Sequence, residues 1–229
     1  MRTVHFRSFA IAAIAVLTLV GRVAGQEKST GILNSLEVRQ LVSRGEPADS
    51  ARLSIHFSAL ADQFTAEAKK HMSMSQAVIG NPSRNLGSGM SAHCKRLADL
   101  NTQEATSLRE LAAYHYKLAG GETAILPAGA ARFHSGAGAP EPGKRDRAAL
   151  SANANTLADH RALAEYFRTL AARYTADAAR HVALAQALRG TRIEQSAVVH
   201  THLADLSRAA SKEATEAAEM QNQLANIAQ

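Results

Sequence analysis

The stretches EAKKH at 67–71 and DAARH at 177–181 each place a histidine four residues after an acid. On a helix that spacing stacks the two side chains on one face, one turn apart. A carboxylate and an imidazole so placed can neutralise each other, pass a proton, or share a metal ion. Further along each half of the chain a second histidine and acid follow, His93 with Glu104 and His202 with Glu213. The candidate ligands are therefore Glu67, His71, His93, Glu104, Asp177, His181, His202 and Glu213.

The elements that carry these residues occur twice. Residues 48–80 align without a gap to 158–190, and 13 of the 33 positions are identical at an offset of 110. The shared residues include Asp49, Phe57, Thr65, His71, Gln76 and Gly80, so alanine richness does not explain the match. A weaker match at an offset of 109 follows, with His93 on His202 and Glu104-Ala105-Thr106 on Glu213-Ala214-Thr215. Each copy reads as a long helical hairpin. The first has helices from Pro47 to Gly80, with Pro82 in the turn, and from about Ser88 to Ala119; the second has helices over 156–189 and 193–227. Short helical pieces are expected before each hairpin, in LNSLEVRQLVSR and KRDRAALSA. The segments are then 1–25, a signal peptide; 26–46, an N-terminal segment; 47–119, the first hairpin; 120–146, a Gly/Pro-rich linker; and 147–229, the second hairpin. The expected fold is all-α, an antiparallel four-helix bundle with coiled-coil-like seams, built from two duplicated hairpins. Tethered separate hairpins, or hairpins pairing between chains, are the alternatives.

Spacings of three and four define the stripe that each helix should bury. The first helix gives Leu53, Phe57, Leu60, Phe64, Glu67, His71, Met74 and Val78. The third gives Leu163, Phe167, Leu170, Tyr174, Asp177, His181, Leu184 and Leu188. The second gives Met90, His93, Leu97, Leu100, Glu104, Ser107, Leu111, Tyr114 and Leu118, and the fourth Val199, His202, Leu206, Ala209, Glu213, Glu216 and Met220. His200 points away from His202, His115 is expected to be exposed along with His134, and His56 stands where the second copy has Tyr166.

Two kinds of reading follow. In the preferred one the acid–histidine pairs satisfy each other on the stripe and fix register, and no cofactor is needed. In the alternative the interior holds metal. Four carboxylates with histidines resemble, in ligand count, the ferritin-like di-iron carboxylate bundles, which implies iron; the departure is acid-x-x-x-His here against Glu-x-x-His there. A copper variant uses the soft ligands His71, Met72, Met74, Met90, His93 and Cys94, which the second copy lacks.

Composition agrees with export and with helix. Arg2 and Arg7 precede a 13-residue apolar run, and small residues lead to Gln26, the pattern of a cleavable signal peptide. The expected location is periplasmic or extracellular. The charge of +6 falls to +3 once Arg2, Arg7 and Arg22 leave, which argues against nucleic acid as a partner. Cys94 is the single cysteine, so no internal disulfide forms. No phosphate loop, nucleophile elbow or haem motif is present, and an enzyme is not the preferred reading. The mature chain has no apolar stretch long enough to span a membrane, and its partners are expected to be another protein or a second copy. The segments PADSARLSIHF, LADHRALAEYF and MSAHCKRL resemble a group of exported, alanine-rich helical bacterial proteins with recurring P-A-D-H and M-x-x-H-C-x-x-L segments. Ser50 departs from that pattern, where the second copy has His160. The resemblance implies fold and export, with no assigned activity.

Overall fold

A computed structural model describes residues 31–79, 88–121 and 147–227. These residues form six helices and no strand, so the expected all-α class is observed. They are α1 (Ser35–Arg44), α2 (Pro47–Ile79), α3 (Ser88–Leu118), α4 (Arg147–Asn153), α5 (Leu157–Leu188) and α6 (Gln195–Ile227). The expected signal peptide, the turn at Gly80 and Pro82, His134 and most of the expected linker lie outside the described residues.

Local chemistry sets the helix ends. Asn34 Oδ1 accepts from the Leu36 and Glu37 N–H groups, and Glu37 accepts in return from the Asn34 N–H, a complete capping box for α1. Gly45 ends α1 at φ 65°, a left-handed conformation that costs glycine least. Pro47 then starts α2 without an N–H, where none is required. Arg44 reaches across this corner to Asp49 at 2.6 Å. Thr156 and Asp159 form a second capping box at the start of α5.

Helices α2 and α3 run side by side in opposite directions: Phe57 stacks on His115, Thr65 accepts from Arg109, and Ser75 meets Ser91. Helices α5 and α6 do the same, with His160 beside Gln221, Thr175 beside Ser211 and His181 beside His200. Contacts also cross between these pairs. Ser207 of α6 donates to Glu104 of α3, Tyr166 of α5 donates to Glu67 of α2, and Tyr174 of α5 donates to Asn101 of α3. The main apolar core draws on all four long helices and on Val38 and Leu41 of α1. Helix α4 lies against α2, and its Leu150 joins Leu163 of α5.

The expected stripes fare differently. All eight expected positions of α5 are buried, and on α2 only Leu60 and Glu67 are half-buried. On α6 the expected stripe is one residue out of phase, with only Leu206 and Glu213 of it buried; on α3 Met90, Leu97, Glu104, Ser107 and Leu111 are buried as expected, while His93, Leu100, Tyr114 and Leu118 are not. The buried seam of α3 runs Met90, Cys94, Leu97, Asn101, Glu104, Leu108, Leu111 and His115. That of α6 runs Ser196, His200, Leu203, Ser207, Ala210, Ala214, Ala217 and Gln221. His93 and Tyr114 are accordingly half-buried and His202 is exposed, while His115, expected to be exposed, is buried. The cause is volume. Phe57, Phe64, Phe167 and Tyr174 on α2 and α5 fill much of the interior, so the facing seam on α6 must be small. Alanine, serine and histidine on such a seam give no strong apolar stripe, and the nearby Leu100, Tyr114 and Val199 outweigh them in the pattern.

Candidate functional site

One end of the interior is lined by histidine. His56 of α2, His115 of α3 and His200 of α6 gather about Phe57, and His181 of α5 joins them on His200, at exposures of 5, 1, 1 and 8%. Half of the eight histidines among the described residues stand in this one layer. The Phe57 ring centre lies 5.0 Å from that of His56, 5.5 Å from His115 and 5.6 Å from His200. His181 and His200 stack at 5.2 Å, and their Nδ1 atoms are 3.1 Å apart. His56 Nδ1 accepts the Leu33 N–H at 3.0 Å, which places the proton of the neutral ring on Nε2. His115 Nδ1 makes no hydrogen bond, and neither does Ser196 Oγ, one turn before His200.

These rings are neutral at pH 7. Burial pushes His115 down to about 4, and burial with the nearby Arg180 does the same to His56 and His181. His200 falls to about 3, through burial and then the other three imidazoles. Neutral imidazole is the form that offers a lone pair to a proton or a metal ion.

A second polar layer lies toward the middle. Glu104 is 1% exposed; its Oε1 accepts from Ser207 at 2.6 Å and its Oε2 has no hydrogen-bond partner. Burial raises this carboxyl to about 7, although the Ser207 hydroxyl and Arg173 act the other way. Glu67 behaves oppositely: burial opposes its charge, but Lys70, Arg173 and His71 hold it below the usual carboxylate range. His71 Nε2 is 3.5 Å from Glu67, yet neither ring nitrogen makes a hydrogen bond, and burial takes the ring down to about 4. The ring packs against Tyr166 and Phe167 of α5.

At the other end His93 bonds Glu213, and Arg96 approaches the same carboxylate at 2.7 Å. With Glu216 these make the one group of three candidate ligand atoms within 4.8 Å of one another among the described residues. The Arg96 guanidinium already neutralises Glu213. The soft ligands separate. Met72 is exposed, while Met74, Met90 and Cys94 are in the apolar core, with Cys94 Sγ 3.7 Å from Met90 Sδ. Burial, then Glu213, pushes the Cys94 thiol up to about 12, so it stays protonated and a poor metal ligand.

The eight expected residues thus fall in separate places. Glu67, His71 and Glu104 belong to the middle layer, and His93 and Glu213 to the far end. His181 joins the imidazole layer, Asp177 pairs with Arg180, and His202 faces solvent. The expected partnership of Asp177 with His181 gives way to Arg180 for the acid and His200 for the histidine. Sequence reading missed His56, His115 and His200. The available signal was a shared level: His56 adjoins Phe57, and antiparallel pairing of the helices brings 115 and 200 to it. Compared with known proteins, the chain matches no family model, no curated protein and no solved structure.

Proposed function

We propose that the chain is an exported, non-enzymatic helical protein of the cell envelope, made of two hairpins related by duplication and closed on each other as an antiparallel four-helix bundle. It serves as a rigid structural or partner-binding element. The observation that carries this is where the buried and half-buried polar groups of the interior find partners. Glu104 uses Ser207, Asn101 uses Tyr174, Glu67 uses Tyr166 and His93 uses Glu213, each from the other hairpin. A buried polar group left unpaired costs about 1–3 kcal/mol, so these crossings bind the hairpins in a single register. The halves also share a plan: His71 packs on Tyr166 and Phe167, and His181 lies beside His56 in the corresponding place, 110 residues away. The test is cell fractionation with N-terminal sequencing, joined to growth of a deletion strain under envelope stress. The expected result is a soluble exported chain starting at Gln26 and a stress-sensitive deletion strain. A chain that keeps its leader in the cytoplasm would refute the reading.

A second reading, metal binding, is favoured by one observation, the imidazole layer. The acid–histidine pairs that first pointed to iron are dispersed, and the copper-type ligands include a protonated thiol and an exposed Met72.

A further inference from the structure

We propose that His115, His181 and His200 form a site for one divalent ion of the zinc or copper class, held between α3, α5 and α6. This deepens the metal-binding reading and rests on the packing of the two hairpins, since His115 comes from one and the other two ligands from its neighbour.

The seat is the His181–His200 pair. Two nitrogens bound to a tetrahedral zinc at about 2.0–2.1 Å stand about 3.3 Å apart. Their Nδ1 atoms already stand 3.1 Å apart, and a turn of each ring about its χ2 bond would aim both in-plane lone pairs at one ion. Without an ion, one Nδ1 must carry the proton that bonds the other. With an ion, both Nδ1 atoms offer lone pairs and each proton resides on Nε2, so the imidazoles stay neutral and no proton is released. His115 is the third ligand. Its Nδ1 is buried with no hydrogen bond, a costly state that an ion would relieve. The three rings do not yet share a common bonding distance. Phe57 packs against both His115 and His200, so loading brings the His115 side chain past that ring. Three neutral imidazoles with one open position form a known donor set for zinc, and imidazole suits copper equally.

His56 is excluded on chemical grounds. Its Nδ1 accepts from Leu33, so its other nitrogen carries the proton and has no lone pair to give. The charged groups near the layer are Arg180 and Glu37, and Asp177 is occupied by Arg180. No carboxylate ligates, which disfavours calcium and magnesium.

The duplication makes this layer specific. At the positions 110 or 109 residues away from His181, His56, His200 and His115 stand His71, Tyr166, Ser91 and Leu224. The shared ancestry therefore explains one histidine, and three are particular to this end.

The test uses the untagged mature chain, stripped with EDTA and titrated with Cu²⁺ and Zn²⁺. Bound metal is counted by elemental analysis, melting is followed by circular dichroism, and pulsed EPR of the Cu²⁺ form reports imidazole nitrogens. The expected result is one equivalent bound, a raised melting temperature, and at least two coordinated imidazoles. His115→Gln, His181→Gln and His200→Gln should each weaken binding at least tenfold, while His71→Gln and His202→Gln leave it unchanged. A wild-type chain that melts cooperatively but ignores both metals overturns the site and leaves the bundle standing. Loss of cooperative melting in the metal-free chain overturns the packing and the site together. EPR showing fewer than two imidazoles, or unchanged binding in His200→Gln, also overturns the site; should any Gln variant fail to fold, the EPR count on wild type decides.

Discussion

Glu104→Gln should stabilise the protein, and by an amount that depends on pH. The carboxyl is buried in the middle layer with one oxygen on Ser207 and the other without a partner, and its folded pKa is about 7. A folded pKa raised above the unfolded value gives stability that is complete below pH 4.5 and is lost as pH rises through 7. Ionising Glu104 then costs the folded state about 3 kcal/mol at pH 8 and about 1 kcal/mol at pH 5, by proton linkage. Glutamine never ionises and keeps an oxygen for the Ser207 hydroxyl, but its NH₂ finds no acceptor, a cost of about 1 kcal/mol. The expected net change is about +2 kcal/mol at pH 8 and near zero at pH 5, read from urea unfolding of both proteins at the two pH values. A variant whose advantage is the same at both pH values would refute the reasoning, because the buried charge would then not be its source.

Acid should act on the imidazoles. His56, His71, His115, His181 and His200 have folded pKa values near 3–4 against 6.5 unfolded, so stability is complete above pH 6.5 and falls as pH drops toward 4. At about 2 kcal/mol per ring at pH 5, the metal-free chain should lose its cooperative thermal transition before pH 4; a melting temperature constant from pH 7.5 to 5 would contradict the burial. Gly45→Ala should cost about 1 kcal/mol or more in chemical denaturation, since φ is 65° and the new Cβ would meet the Arg192 guanidinium. Cys94 should react with a thiol reagent on the order of 100-fold faster in urea than in buffer, because it is fully buried and held protonated.

How far the sequence could be read depended on which helix was read. The Phe, Leu and Tyr of α2 and α5 make strong stripes, and those stripes are buried as expected. On α6 the buried face is carried largely by Ser207, Ala210, Ala214 and Ala217, and on α3 Asn101 and Cys94 alternate with Leu97, Leu108 and Leu111, so the small and polar members make no strong apolar stripe. The larger residues Leu100, Tyr114 and Val199 lie beside that seam and displaced the expected stripe by one position along α6 and at alternate positions of α3. A one-position slip rotates a helix by about 100°, enough to exchange His202 for the seam and hide His115 and His200. The all-α class tolerates such an error, because it depends on composition and periodicity. The candidate site does not, because it depends on which side of each helix faces in.

The acid–histidine motif therefore sets a position, while the facing helices set its chemistry. His71 and His181 each stand one turn after an acid on helices that share a common pattern. His71 faces Tyr166 and Phe167, and its ring makes no hydrogen bond. His181 faces His200, and His56 and His115 stand in the same layer. At the aligned positions His200 stands against Ser91, His56 against Tyr166 and His115 against Leu224. The His181 end concentrates neutral imidazoles on four helices, an arrangement that apolar side chains of similar volume would stabilise more simply. Packing alone gives no reason to keep it, so the layer is where a ligand of this protein should be sought.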